Sequence, residues 1–582
     1  MKKTKYILLV LITCFSSLIT IAQTNSSQHK IRLNQIGFYI NAEKKAIILS
    51  ADTGKFYLQN SKGEKVFTGR LAFETQPTFS GMHTSVADFT KYNVPGTYVV
   101  FVPSSGHSYP FNIGASIHRS LADATIKAFY YQRASTPLDE KFAGKWHRAA
   151  GHADDKVIIH ASAADQKRPE GTIISSPQGW YDAGDYNKYI VNSGISTSTV
   201  LSLYEDFSGY MNAVKLNIPE SSNQVPDILD EALWNIRWML TMQDPNDGGV
   251  YHKLTNAKFD AMIMPGKAAT TRYVVQKGTA AALDFAAVTA QAARIFKKFK
   301  HQLPGFADSC LKASLSAYKW ALKNPNIAYE QVVMNKKYKP EITTGAYGDK
   351  YFADEFIWAA SELYSTTGKA GYLKTVLATD DPKISLPTWS NVKLLGYYSL
   401  IDKQPRMRQI LEIEARVLNF ASELTRDADK NAYQTAMGKS ADNFNWGSNS
   451  NAANQGILFI KAYRLTHDKR YLNNALANLD YILGRNGSGY SYVTGYGSKS
   501  TIHPHHRPSI ADGIVDPVPG LLAGGPNPGM QDGIKVPSTA PDEAYIDDDR
   551  AYAANEVAIN WNAPIAYLAN AIEALQKDLE KP

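Results

Sequence analysis

Cysteine is almost absent from this 582-residue chain, which has only Cys14 and Cys310. Cys14 lies in an N-terminal segment that reads as removable. Cys310 then stands alone, and no disulfide can form within one mature chain. Charge of one sign is scarce too. The formal charge of +8 is small for this length, no Lys/Arg stripe is interleaved with aromatics, and no helix-turn-helix or finger pattern occurs, which excludes nucleic acid as a partner. Beyond the N-terminus no apolar run could span a bilayer. Ser/Thr/Pro linkers and dockerin-like repeats are missing. A chain this long without staples must draw its stability from a large core.

What is present begins with "MKKTKYILLVLITCFSSLITIAQ". Three lysines, an apolar run and small residues at Thr20 and Ala22 predict a secretory signal peptide over 1–22. Export to the periplasm or medium is expected. "LITC" is a poor lipidation site, because no small residue precedes Cys14. From 30 to 114 short β-rich runs ("KAIILSAD", "KFYLQNSKGEKVF", "TSVADF", "VPGTYVVFV") alternate with turn formers. That spacing predicts a β-sandwich, with packing on the rest of the chain as its simplest role. From 115 to 578 the period is helical. Twelve helices are predicted, at 117–131, 192–207, 225–242, 279–299, 306–323, 353–366, 368–378, 388–399, 405–424, 448–466, 469–484 and 556–577. "TAAALDFAAVTAQAARIF" has small and apolar residues all round, the mark of a helix buried on several sides. A dozen helices in one region suggest concentric hairpins, an α/α barrel. The Gly/Pro/Asn-rich loops 143–181 and 486–549 are long enough to be functional.

Two stretches carry the chemistry. "GWYDAGDYNKY", Gly179 to Tyr189, sets Asp182 and Asp185 among glycines and aromatics. Alone, it is either a surface turn or a pair of acids holding one water. "DEAYIDDDRAYAANEVAINWNA" places Glu556 in apolar company, where a carboxyl keeps its proton. Inverting hydrolysis of a glycosidic bond needs such a set: a protonated acid for the leaving oxygen, and a carboxylate that activates water on the other face of the sugar. "SYVTGYGSKSTIHPHHRP" crowds His503, His505, His506 and Arg507 together. They suit a polyhydroxyl ligand or the orienting of a carboxylate; no second Cys or spaced His pair supports a zinc ligand set. Asp547, Asp548 and Asp549 are consecutive and cannot converge on a metal without a special turn.

At these residues the chain resembles glycoside hydrolase family 9, the inverting cellulases and their relatives. Ser491–Arg507 is similar to the family's first active-site signature, Tyr545–Ala563 to its second, and "GWYDAGDYNKY" to its base motif in the branch with an N-terminal immunoglobulin-like domain. The resemblance implies an immunoglobulin-like β-sandwich followed by an all-α (α/α)6 barrel. It implies Asp185 as general base, Asp182 as its partner on the water and Glu556 as general acid. His505 and Arg507 would contact the sugar, Asp547 would support the site, and Tyr552, Trp389, Trp446 and Trp561 would contribute to the substrate cleft. The expected function is endo-hydrolysis of β-1,4-glucosidic bonds in a soluble β-glucan: xyloglucan, mixed-linkage glucan or amorphous cellulose. The alternatives are an exo-acting relative releasing glucose or glucosamine, and a non-catalytic glycan-binding protein, against which the three retained acids argue. Where other endoglucanases carry a Trp after the segment reading "DGGVYHKL", this chain has "KFDAMIMP". Zinc is not carried over, because Gly151 stands beside His152 where zinc-binding members have a Cys. No cofactor is required, calcium in the helical domain is compatible, and a monomer is expected.

Overall fold

Alternation builds the N-terminal sandwich. Phe56 and Leu58 on strand Lys55–Asn60, and Tyr98, Val100 and Val102 on Gly96–Val102, point into one core with Phe38, Phe89 and Phe111. The computed structural model describes residues 29–73, 75–403 and 407–580, so the predicted signal peptide and Cys14 lie outside the described residues. A three-stranded sheet (31–32, 45–48, 85–88) faces a six-stranded one built on the 55–60/65–70 hairpin. The four predicted runs are all strands; the added strands at 31–32, 37–38, 106–107 and 111–113 are too short to show a period. The sandwich is bolted to the helical region. Tyr39 donates to Glu573 at 2.7 Å, Asn34 to Asp480 at 2.8 Å, and Thr84 to the Ala432 carbonyl at 3.0 Å.

Twelve helices of ten or more residues occur among the described residues, one at each predicted place. They alternate between an outer and an inner ring. The outer helices are Arg119–Tyr131, Asp227–Thr241, Phe306–Lys323, Ala370–Thr379, Arg408–Thr425 and Lys469–Ile482. The inner ones are Ile190–Met211, Thr279–Phe296, Ala353–Thr367, Lys393–Lys403, Ser448–Thr466 and Ile559–Ala574. Burial separates the two sets. Thr279–Phe296 buries every residue but Arg294, whereas Arg408–Thr425 buries only Ile410, Ile413, Val417 and Ala421, one stripe at helical spacing. The last inner helix packs against the first and closes the ring.

Two sequence expectations need correction. The region after residue 117 is not wholly helical. A five-stranded sheet, in the order 173–174, 157–159, 272–274, 253–256, 188–189, leads into the first inner helix. Strands of two to four residues give no periodic signal, which is why they read as loop. The last helix starts at Ile559, not 556. Glu556 is in extended conformation (ψ 157°) after the short helix Tyr552–Asn555.

Candidate active site

Aromatic anchors fix the loop that carries the paired aspartates. Trp180, Tyr181, Tyr186 and Tyr189 are buried on either side of it, and the Trp180 backbone N–H donates to Asn235 at 3.0 Å. Only glycine fits at 184: a Cβ there would lie 2.2 Å from the His505 carbonyl oxygen. That close approach draws the 503–507 loop onto the aspartates. Asp182 is buried and accepts from Asn192 at 2.5 Å on one oxygen and from the Tyr347 hydroxyl at 2.8 Å on the other. Asp185 receives three donors on a single oxygen, Oδ2: the Asn187 N–H at 3.3 Å, the Asn187 side-chain amide, and the Tyr189 hydroxyl at 3.3 Å. Among the described residues nothing donates to its Oδ1.

Glu556 reaches the same place from the far end of the chain. Its backbone pairs with His505 in a short parallel bridge, and its carbonyl accepts from Gly524 at 2.8 Å. Three residues on, the Ile559 N–H donates to the Asp182 carbonyl at 2.8 Å, so the two halves of the site are joined through backbone. The Gly184 amide is the hydrogen-bond donor to the Glu556 carboxyl among the described residues. Burial pushes that carboxyl well above the usual carboxylate range, and Asp185 and Asp182 add to the effect; Arg507 and the Gly184 amide oppose it. Burial, then Asp185, likewise raises Asp182 against its two donors.

All three acids line one cleft of about 420 Å³, with Trp389, Trp446, Trp561, Tyr347 and Phe259. Trp389 meets Tyr347 edge-on at 5.3 Å. Trp446, 41% exposed, lies against Tyr552 at 5.4 Å. Asn451, Asn454 and Asn560 supply amides between the rings. Aromatic faces with a few convergent polar groups suit a sugar chain.

The other expected residues divide by position. His505 gives Nδ1 to the Asp549 carbonyl at 2.6 Å, and burial lowers its pKa, which keeps the ring neutral beside Asp185. Arg507 is spent on scaffold: its backbone N–H and Nη1 donate to the Gly184 carbonyl (3.1 and 2.8 Å) and its Nε to the Asp260 carbonyl (3.0 Å). It braces the aspartate loop and does not line the cleft. Asp547 is also a brace, accepting from the Ile502 and His503 amides and from Asn555. The histidines do not converge, since His506 is buried against Ser509 and Gln132 while His503 is exposed. Sequence reasoning missed Tyr347, Asn192, Asn187 and Tyr189. The last two sit inside the quoted motif, whereas nothing in "TTGAYG" marked Tyr347.

A Cys at 151 does not fit, because a Cβ there would lie 2.6 Å from Pro265. Asp165, Asp244 and Asp247 converge as metal ligands would. The Lys277 ammonium takes the cation's place among them, at 3.1, 2.6 and 2.9 Å. Asp349, Asp354 and Glu355, with Asp284, form a different cluster. Both oxygens of the buried Asp284 and Glu355 lack a hydrogen-bond donor among the described residues. Such oxygens fit shared protons or a hard cation.

Residues 118–569 match glycosyl hydrolase family 9, and residues 26–107 match the cellulase N-terminal Ig-like domain. The chain belongs to glycosyl hydrolase family 9. A xyloglucan-specific endo-β-1,4-glucanase of Bacteroides ovatus is 47% identical over 555 residues, covering 94% of each chain. Endoglucanase D of Acetivibrio thermocellus is 33% identical over 551 residues, 92% of this chain and 82% of that one. A solved family 9 structure from Bacteroides ovatus superposes with a TM-score of 0.89 at 45% identity, covering 94% and 99%. The Ig-like sandwich and the (α/α)6 barrel are thus the architecture of family 9, and the protein is a glycoside hydrolase.

Proposed function

We propose that this family 9 enzyme is an inverting endo-β-1,4-glucanase whose preferred substrate is xyloglucan. One observation carries the mechanism. Two carboxyl groups share a cleft with unequal endowments: Asp185 takes three donors on Oδ2, whereas Glu556 has the Gly184 amide and is raised by burial. The first suits a base and the second an acid that keeps its proton. Glu556 passes its proton to the glycosidic oxygen as that bond breaks. The Oδ1 of Asp185 takes a proton from water as the water oxygen bonds to the anomeric carbon. Asp182 gives the water a second contact. Attack on the face opposite the leaving group inverts the anomeric centre. No step calls on a cofactor.

Support for xyloglucan comes from the 47%-identical Bacteroides ovatus glucanase, which is specific for it. The reading includes export by the N-terminal segment and one structural calcium at the Asp349, Asp354 and Glu355 cluster. Product analysis tests the activity. Digestion of xyloglucan and mixed-linkage glucan, followed by NMR, should release mid-length oligosaccharides as α-anomers. Initial β-anomer rules out inversion, and glucose as first product rules out endo action.

A further inference from the structure

Lys253 is a buried cation beside the aspartates that the mechanism above does not use. It lies on strand Lys253–Asn256, paired with Lys188–Tyr189, the strand that comes after the aspartate loop. A buried lysine normally faces a carboxylate, as its neighbour Lys188 does with Asp154 at 2.7 Å. Lys253 instead spends its three N–H groups on neutral acceptors: Gln331 at 2.8 Å, the Thr344 hydroxyl at 3.0 Å and the Gly345 carbonyl at 2.6 Å. Burial lowers the ammonium to about 7, even with Asp185 and Asp182 opposing the fall.

A chain of hydrogen bonds leads from this ammonium to Asp185. Thr344 Oγ1 is 2.6 Å from Thr255 Oγ1, Thr255 Oγ1 is 2.9 Å from Asn187 Oδ1, and Asn187 Nδ2 donates to Asp185 Oδ2. Its direction is set by the ammonium as far as Thr255. An ammonium only donates, so the Thr344 hydroxyl accepts from it and has its own proton for Thr255. Thr255 can then donate its one proton to Asn187 or to the Asn256 carbonyl, each at 2.9 Å. The Asn187 amide cannot be flipped, because its Oδ1 also accepts from the Asn256 N–H at 2.9 Å. With the Thr255 proton on Asn187, every donor in the chain points toward the carboxylate and the bonds polarise one another in one sense. The Tyr189 phenol, which also interacts with Thr344, reaches the same oxygen at 3.3 Å.

We propose that Lys253 is a positioning residue for hydrolysis: through Thr344, Thr255 and Asn187 its ammonium orients the Asp185 carboxylate, with Oδ2 tied and Oδ1 turned to the water. This rests on Asp185 being the base. The other titratable or charged groups that face the pair are Asp182, Tyr189, Tyr329, His252, Tyr347, Glu556, His505 and Arg507.

The test compares Lys253→Met, Thr344→Val and Thr344→Ser in the full chain, with kcat and kcat/KM on soluble xyloglucan measured across pH. In Lys253→Met and Thr344→Val the acid limb should move up by about one pH unit, lowering the rate below that limb about tenfold. The alkaline limb, set by Glu556, and KM should stay. Thr344→Ser keeps the hydroxyl and should keep the wild-type profile. If Lys253→Met fails to fold, Thr344→Val decides, since it breaks the chain and leaves the ammonium in place. An acid limb unmoved in a folded Thr344→Val overturns the proposal. Asp185→Asn separates this failure from that of the base assignment. If that variant is inactive while the limb stays put, only the Lys253 role falls; if it is active, the base itself is wrong.

Discussion

Glutamine in place of Glu556 keeps the side chain's shape and removes one acidic proton. The Gly184 N–H that donates to the carboxyl can donate equally to the amide oxygen, so the melting temperature should hold. What goes is the proton that burial and two neighbouring carboxylates keep on the group. A sugar alkoxide is a poor leaving group, and a positioned general acid contributes ~10²–10⁴ to such a step. On xyloglucan the expected loss in kcat is about 10³-fold, or about 4 kcal/mol of barrier. A dinitrophenyl cello-oligosaccharide leaves as a stable phenolate without help, so its loss should stay below about tenfold. The assay is kcat on both substrates at one pH, with the melting temperature recorded beside it. Equal losses on the two substrates would refute the role of Glu556 as acid, as would a glucan rate close to wild type.

Asp185→Asn should cost about 10³-fold on both substrates, because the water needs a base whatever leaves; a rate that recovers with the dinitrophenyl substrate contradicts this. Gly184→Ala drives a Cβ into the His505 carbonyl, 2.2 Å away, and should lower both kcat, more than tenfold by order of magnitude, and the melting temperature; unchanged kinetics would mean that this contact does not set the site. Stability should fall as pH rises. Burial lifts Asp230 to about 7 and Asp480 and Asp542 to about 6, and it raises Asp284 and Glu355 well above the carboxylate range. Folded values above the unfolded one stabilise fully below about pH 4 and lose that contribution as pH climbs through the folded values. Melting in a chelator should therefore drop between pH 5 and 8, and added calcium should raise it at the upper end; no response to calcium there would remove the ion from the Asp349 cluster.

The barrel was legible because its inner helices are unusual in composition. "TAAALDFAAVTAQAARIF" has no polar face, and such a helix has few places to go. The acids were legible too, since Asp182, Asp185 and Glu556 sit in short motifs whose chemistry has a meaning. What stayed hidden was whatever depends on pairing between distant segments. Tyr347 reaches Asp182 across 165 positions. Lys253 faces the aspartates only because its strand pairs beside Tyr189. Arg507 read as sugar-facing from its motif, and Asp547 as a support for the site. Their bonds to the Gly184 carbonyl and to the Ile502 and His503 amides form only in the folded chain, where they turn both residues toward the scaffold.

The bond from Ile559 to the Asp182 carbonyl also fixes when activity can begin. A nascent polypeptide already holds the base but has no acid to set against it. Hydrolysis must wait until the final inner helix docks on the first. The enzyme therefore stays silent throughout synthesis, and its turnover reports that folding has run to the end.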